Sequence, residues 1–160
     1  AEQGLGVTKT IGDLAGPMAF AILMGSSRAF YGKFGDRIDL NRFMAGSSIL
    51  CILSYLCISL SPNPVFSLLG CGLCGLSVGI LWPGTFSKAS VTIRNGGTAM
   101  FALLALAGDV GCSGGPTLVG FCTGLLNNDL HRGILMGIVF PVCMLVCILV
   151  TLKKQAKANL

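Results

Sequence analysis

The sequence predicts an all-α membrane protein with five transmembrane helices, and three observations carry that prediction. Apolar residues make up 53% of the 160 positions and charged residues only 11%, where a soluble globular domain holds roughly a quarter charged. The mean hydropathy is +0.82, so water is the wrong solvent for most of the surface. The apolar residues are gathered into five segments of about 20 residues, the length at which a helix crosses a hydrocarbon core about 30 Å thick.

The spans fall at residues 11–30, 43–61, 65–82, 97–121 and 134–152, each closed by a turn or charge signal. The first ends in the polar stretch "GKFGDRIDLNR" at 32–42, the second at "SPNP", the third at "KASVTIRNGG", the fourth at "NNDLHR" and the fifth at "KKQAK". The 23 glycines would weaken a soluble helical protein, but in membranes small residues let helix backbones approach closely.

The charges orient the bundle. With alternating spans, Arg28, Lys33, Arg37, Arg42, Lys88, Arg94, Lys153, Lys154 and Lys157 lie on one side, and only Lys9 and Arg132 on the other. Short basic loops stay in the cytoplasm, so the 32–42 segment and the C-terminus are expected to be cytosolic, in the plasma membrane. The net charge of +5 comes from these short clusters, not from a basic stripe with interleaved aromatics, which argues against nucleic acid as a partner.

The eight cysteines all fall in apolar runs and read as small packing residues. Cys71 and Cys74 have CxxC spacing, but a zinc site would need two further ligands, so no metal and no cofactor is expected. No GxxxxGK[ST] run is present to bind ATP, and no pair of carboxylates or cluster of histidines suggests an intramembrane enzyme. A first span entering from outside implies a longer chain, with at least one helix upstream.

The 32–42 segment carries a family resemblance. Gly32, Asp36 and Arg37 match the spacing of the cytosolic loop signature of the major facilitator superfamily, with Arg42 at a later basic position and Asp39 and Asn41 departing from it. "SVGILWPGTFSKAS" is similar to the end of the tenth helix in the fucose permease group, and Arg28 resembles an arginine common there. The resemblance implies a partial C-terminal half, helices eight to twelve of a twelve-helix transporter, whose partners are the lipid bilayer, a small-molecule substrate and a missing N-terminal half. It further implies that Gly32, Asp36, Arg37 and Arg28 form a gating latch between halves.

Within the spans Asp109 is the leading candidate for substrate handling or ion coupling, because an ionisable group at mid-membrane is costly unless it is paired or faces a cavity. Helical spacing places Cys112, Ser113 and Pro116 on its face, so Ser113 joins it as a candidate. Asp13 reads as interfacial, Trp82 and Pro83 as a belt aromatic and a helix stop, and His131 with Arg132 as solvated surface. Cys71, Gly75 and Gly79, and likewise Ala107, Gly111 and Gly115, form two smooth seams for helix contact.

The expected function is secondary active transport of a small polar solute, such as a sugar, by alternating access with a proton or another cation as the coupling ion. A multidrug-type exporter of the same superfamily and a non-transporting membrane scaffold are the alternatives.

Overall fold

A computed structural model of the chain describes residues 9–61, 63–93, 95–127 and 129–158. Arg94 lies outside these residues, as do the side chains of Lys9, Asp13, Asp36 and Lys157. The described residues form α-helices and one short 3₁₀ turn, with no strand among them. In chain order the helices are α1 (Lys9–Phe34), α2 (Leu40–Leu60), α3 (Pro64–Val78), α4 (Leu81–Thr92), α5 (Gly97–Leu125), α6 (Leu130–Met136) and α7 (Val139–Ala158), with the 3₁₀ turn Gly35–Arg37 after α1.

Four stretches are long and apolar enough to cross a membrane: Leu40–Leu60, Val65–Thr92, Gly97–Leu125 and Leu130–Lys154. The second joins α3 to α4, and the fourth joins α6 to most of α7. Helix α1 is 26 residues long but is not among the four, because Arg28, Lys33 and the Gly25-Ser26-Ser27 step dilute its apolarity.

The distribution of polarity is inverted relative to a soluble domain. Leu53 and Leu103 are 56% and 67% exposed, whereas Ser48, Ser54 and Ser77 are fully buried. Large apolar side chains face outward, as lipid contact requires, and small residues fill the interior so that helices approach closely. On α2 the buried face runs Met44, Ser47, Ser48, Cys51 and Ser54, a helical spacing that points one stripe inward. The Ser48 hydroxyl donates to Met44 O at 2.9 Å and Ser54 to Leu50 O at 2.8 Å, so these groups are satisfied within their own helix.

Helix α2 is the hub: it packs on α3, α6 and α7, while α1 lies along α3 and α5 rests on α6. The α1–α3 contact uses the first predicted seam. A Cβ on Gly79 would stand 2.8 Å from Met24 O, and one on Gly75 would overlap the Phe20 carbonyl. The second seam is open, since nothing stands within 4 Å of a Cβ at Gly111 or Gly115.

Two boundaries differ from expectation. Helix α1 runs through Gly32 and Lys33 to Phe34, and only the 3₁₀ turn and residues 38 and 39 separate it from α2. Asp39 caps α2 by accepting from Asn41 N at 2.9 Å and Arg42 N at 3.4 Å, which accounts for the acid that departs from the family pattern. Pro83 does not stop a helix: the chain breaks at residues 79 and 80, and Trp82 and Pro83 sit in the first turn of α4, where proline is tolerated.

Candidate functional site

The break between α3 and α4 follows from backbone chemistry. In a continuous helix the N–H of residue 83 would donate to the carbonyl of residue 79, but proline has no N–H. The orphaned Gly79 oxygen instead accepts from Arg28 Nε of α1 at 3.0 Å. The sequence offers no signal for this pairing, because it depends on which helix lies beside α3. Arg28, expected in a gating latch, here ties α1 to the α3–α4 junction.

The other latch residues lie apart from it. Arg37 is exposed at the end of the 3₁₀ turn, and Gly32 has nothing within 4 Å of a Cβ position. Close approach occurs at Gly35 instead, where a Cβ would stand 3.1 Å from the Tyr31 ring. Arg42 forms an exposed ion pair with Asp39 at 3.8 Å, and Lys88 Nζ of α4 donates to Asn41 Oδ1 at 2.6 Å. The Lys88 contact ties α4 to the polar end of α2.

Helix α5 carries the main candidate. None of its residues is buried, although it is 29 residues long and apolar enough to cross a membrane. Asp109, Ser113 and Thr117 recur at i, i+4 and i+8 along a shallow open groove on the surface of α5, lined by α5 residues alone. Ser113 Oγ donates to the main-chain oxygen of Asp109 at 3.0 Å, and Thr117 Oγ1 donates to Ser113 O at 2.7 Å. The Asp109 carboxylate has neither a hydrogen bond nor an ion pair among the described residues.

Asp109 stands at the edge between the two sides of α5. On the inner side the preceding Gly108 meets the Trp82 ring, and an aromatic series continues from Trp82 to Phe86 at 4.7 Å and Phe101 at 5.8 Å between ring centroids. Pro116 does not line the groove with Ser113 but borders an open cavity of about 340 Å³ with Tyr55, Cys71 and Cys74. Cys112 is exposed and outside the groove. Thr117 is the residue that sequence spacing alone would have added.

His131 is not simply solvated surface. Its Nδ1 lies 3.1 Å from Ile58 O, and a carbonyl only accepts, so the contact selects the Nδ1–H form. Asp129 caps α6 through His131 N and Arg132 N, and its carboxylate pairs with Arg132 Nε at 3.1 Å.

No family model, curated protein or solved structure matches the chain. Among the described residues no group of three or more His, Cys, Asp or Glu is placed to hold a metal.

Proposed function

We propose that this chain is part of a secondary transporter that moves a small polar solute, such as a sugar, by alternating access with a coupled cation. The observation that carries the reading is the polar row Asp109, Ser113 and Thr117 on α5, a membrane-length helix that the rest of the chain leaves unburied. A carboxylate against lipid tails is costly, and such groups in membrane helices face a bundle interior or a watered cavity. This face of α5 therefore needs a covering surface, and a preceding N-terminal half of the same protein would supply it, as in transporters built from paired bundles.

In this arrangement Asp109 binds the coupling ion or orients the solute, and Ser113 and Thr117 add hydroxyls one and two turns away. Alternating access moves one bundle against the other. The basic ends of α2, α4 and α7 lie in the cytosol of a cell bounded by a plasma membrane, by the charge asymmetry of short loops. The resemblance of the 32–42 segment to the major facilitator loop supports the same class.

The test is uptake into proteoliposomes containing the complete protein, with labelled sugars and an imposed proton or sodium gradient. Asp109→Asn is expected to abolish gradient-driven accumulation while leaving the amount of inserted protein unchanged. Accumulation at the wild-type rate would remove Asp109 from the mechanism.

A further inference from the structure

Between α1, α2 and α3, away from the Asp109 groove, lies a cavity of about 640 Å³. Its walls include Phe30, Phe43, Leu50 and Leu76, and its polar lining includes Ser27, Ser47 and, at the mouth, Arg42. Ser27 and Ser47 are only 6% and 8% exposed, and neither hydroxyl has a hydrogen-bond partner among the described residues. Neither oxygen is among the fully buried unpartnered side-chain atoms of the described residues, which are Ser59 Oγ and Ser67 Oγ, so both remain open to a molecule in the cavity they line. The contrast with Ser26 on the same wall is direct, because its hydroxyl donates to Ile22 O at 2.8 Å.

We infer that this cavity binds an acidic phospholipid from the cytosolic leaflet. The polarity of the lining is ordered by depth. Arg42 is at the cytosolic end of α2, Ser47 is five residues deeper, roughly 7.5 Å, and Leu50 is deeper by roughly a further 4.5 Å at the rise of a helix. A phosphoglyceride presents the same order: a phosphate at the interface, ester oxygens that only accept hydrogen bonds, then an acyl chain. The phosphate meets the Arg42 guanidinium, the esters accept from Ser27 and Ser47, and a chain lies against Leu50 and Leu76. Asp39 leaves Arg42 available, since their contact is long at 3.8 Å and the Arg42 side chain is 86% exposed. Basic pockets between membrane helices on the cytosolic side are suited to anionic headgroups. The site stands whether or not the protein transports.

The experiment is native mass spectrometry of the full chain released from micelles holding equal amounts of phosphatidylglycerol and phosphatidylcholine with identical chains. The wild type is expected to retain one phosphatidylglycerol in preference. The double variant Ser27→Ala/Ser47→Ala and the single variant Arg42→Gln are each expected to lower that retention about tenfold, and Ser26→Ala to leave it unchanged. Without lipid the double variant should melt no lower than the wild type, because alanine removes two unpaired hydroxyls. Equal retention of the two lipids, or unchanged retention in either the double or the Arg42 variant, overturns the proposal. So does loss of helicity in the lipid-free double variant, which would make the hydroxyls structural. Displacement by millimolar inorganic phosphate would also overturn it, in favour of a free-anion site.

Discussion

Replacing Arg28 with methionine removes the donor to Gly79 O while keeping an apolar stem of similar length. A part-buried carbonyl left without a partner costs about 1–3 kcal/mol, and polar contacts between membrane helices measure nearer the lower end, up to about 1.7 kcal/mol. Arg28→Met is therefore expected to cost about 1–2 kcal/mol. The same reasoning makes Pro83→Ala a rescue. Gly79 already has helical angles, φ −52° and ψ −40°, so an alanine N–H at position 83 can donate to its carbonyl. In the Pro83→Ala background Arg28→Met should cost less than about 0.5 kcal/mol, leaving a coupling energy of about 1 kcal/mol. Reversible unfolding in mixed micelles reads this directly, followed by fluorescence of Trp82, the chain's single tryptophan. Equal costs in the two backgrounds would refute the account of the break.

The α1–α3 seam predicts that Gly75→Ala lowers stability by about 1–3 kcal/mol, the range for overpacking, because the added Cβ meets the Phe20 backbone and not a movable side-chain end. Gly46→Ala, with nothing within 4 Å, should be neutral or stabilising in the same unfolding assay. Asp129→Ala removes the α6 cap and the pair with Arg132, and should cost about 1 kcal/mol, seen as faster amide exchange over residues 130–133.

The apolar segments made the helical architecture and the four stretches long and apolar enough to cross a membrane legible, because length and composition decide them before any packing is known. The α3–α4 break was displaced from its sequence signal for a physical reason: proline withdraws a donor from the carbonyl four residues earlier, so the chain opens at Gly79 and not at Pro83 itself. The two small-residue seams read alike, yet only the one on α3 meets a neighbour, since a glycine pattern states what a face permits and not what lies against it. Helical spacing placed Ser113 one turn from Asp109, and its hydroxyl does reach the Asp109 main-chain oxygen. The ties Arg28 to Gly79 O and His131 to Ile58 O were not legible, because each joins residues far apart in sequence through a main-chain oxygen. Ser27 and Ser47 gave no signal either, since nothing in the sequence separates them from Ser48 and Ser54, whose hydroxyls are satisfied by their own helix.

The arrangement of charged ends across a membrane underlies the reading of every site, and thiol accessibility tests it most directly. Cysteine is placed at exposed Asn127, in the turn after α5, or at exposed Arg37, after α1, and intact cells are treated with a membrane-impermeant maleimide over the background of the native thiols. Labelling of Asn127→Cys in intact cells, with Arg37→Cys reacting only after permeabilisation, is the predicted result. Labelling of both positions from outside, or the reverse order, would contradict the account.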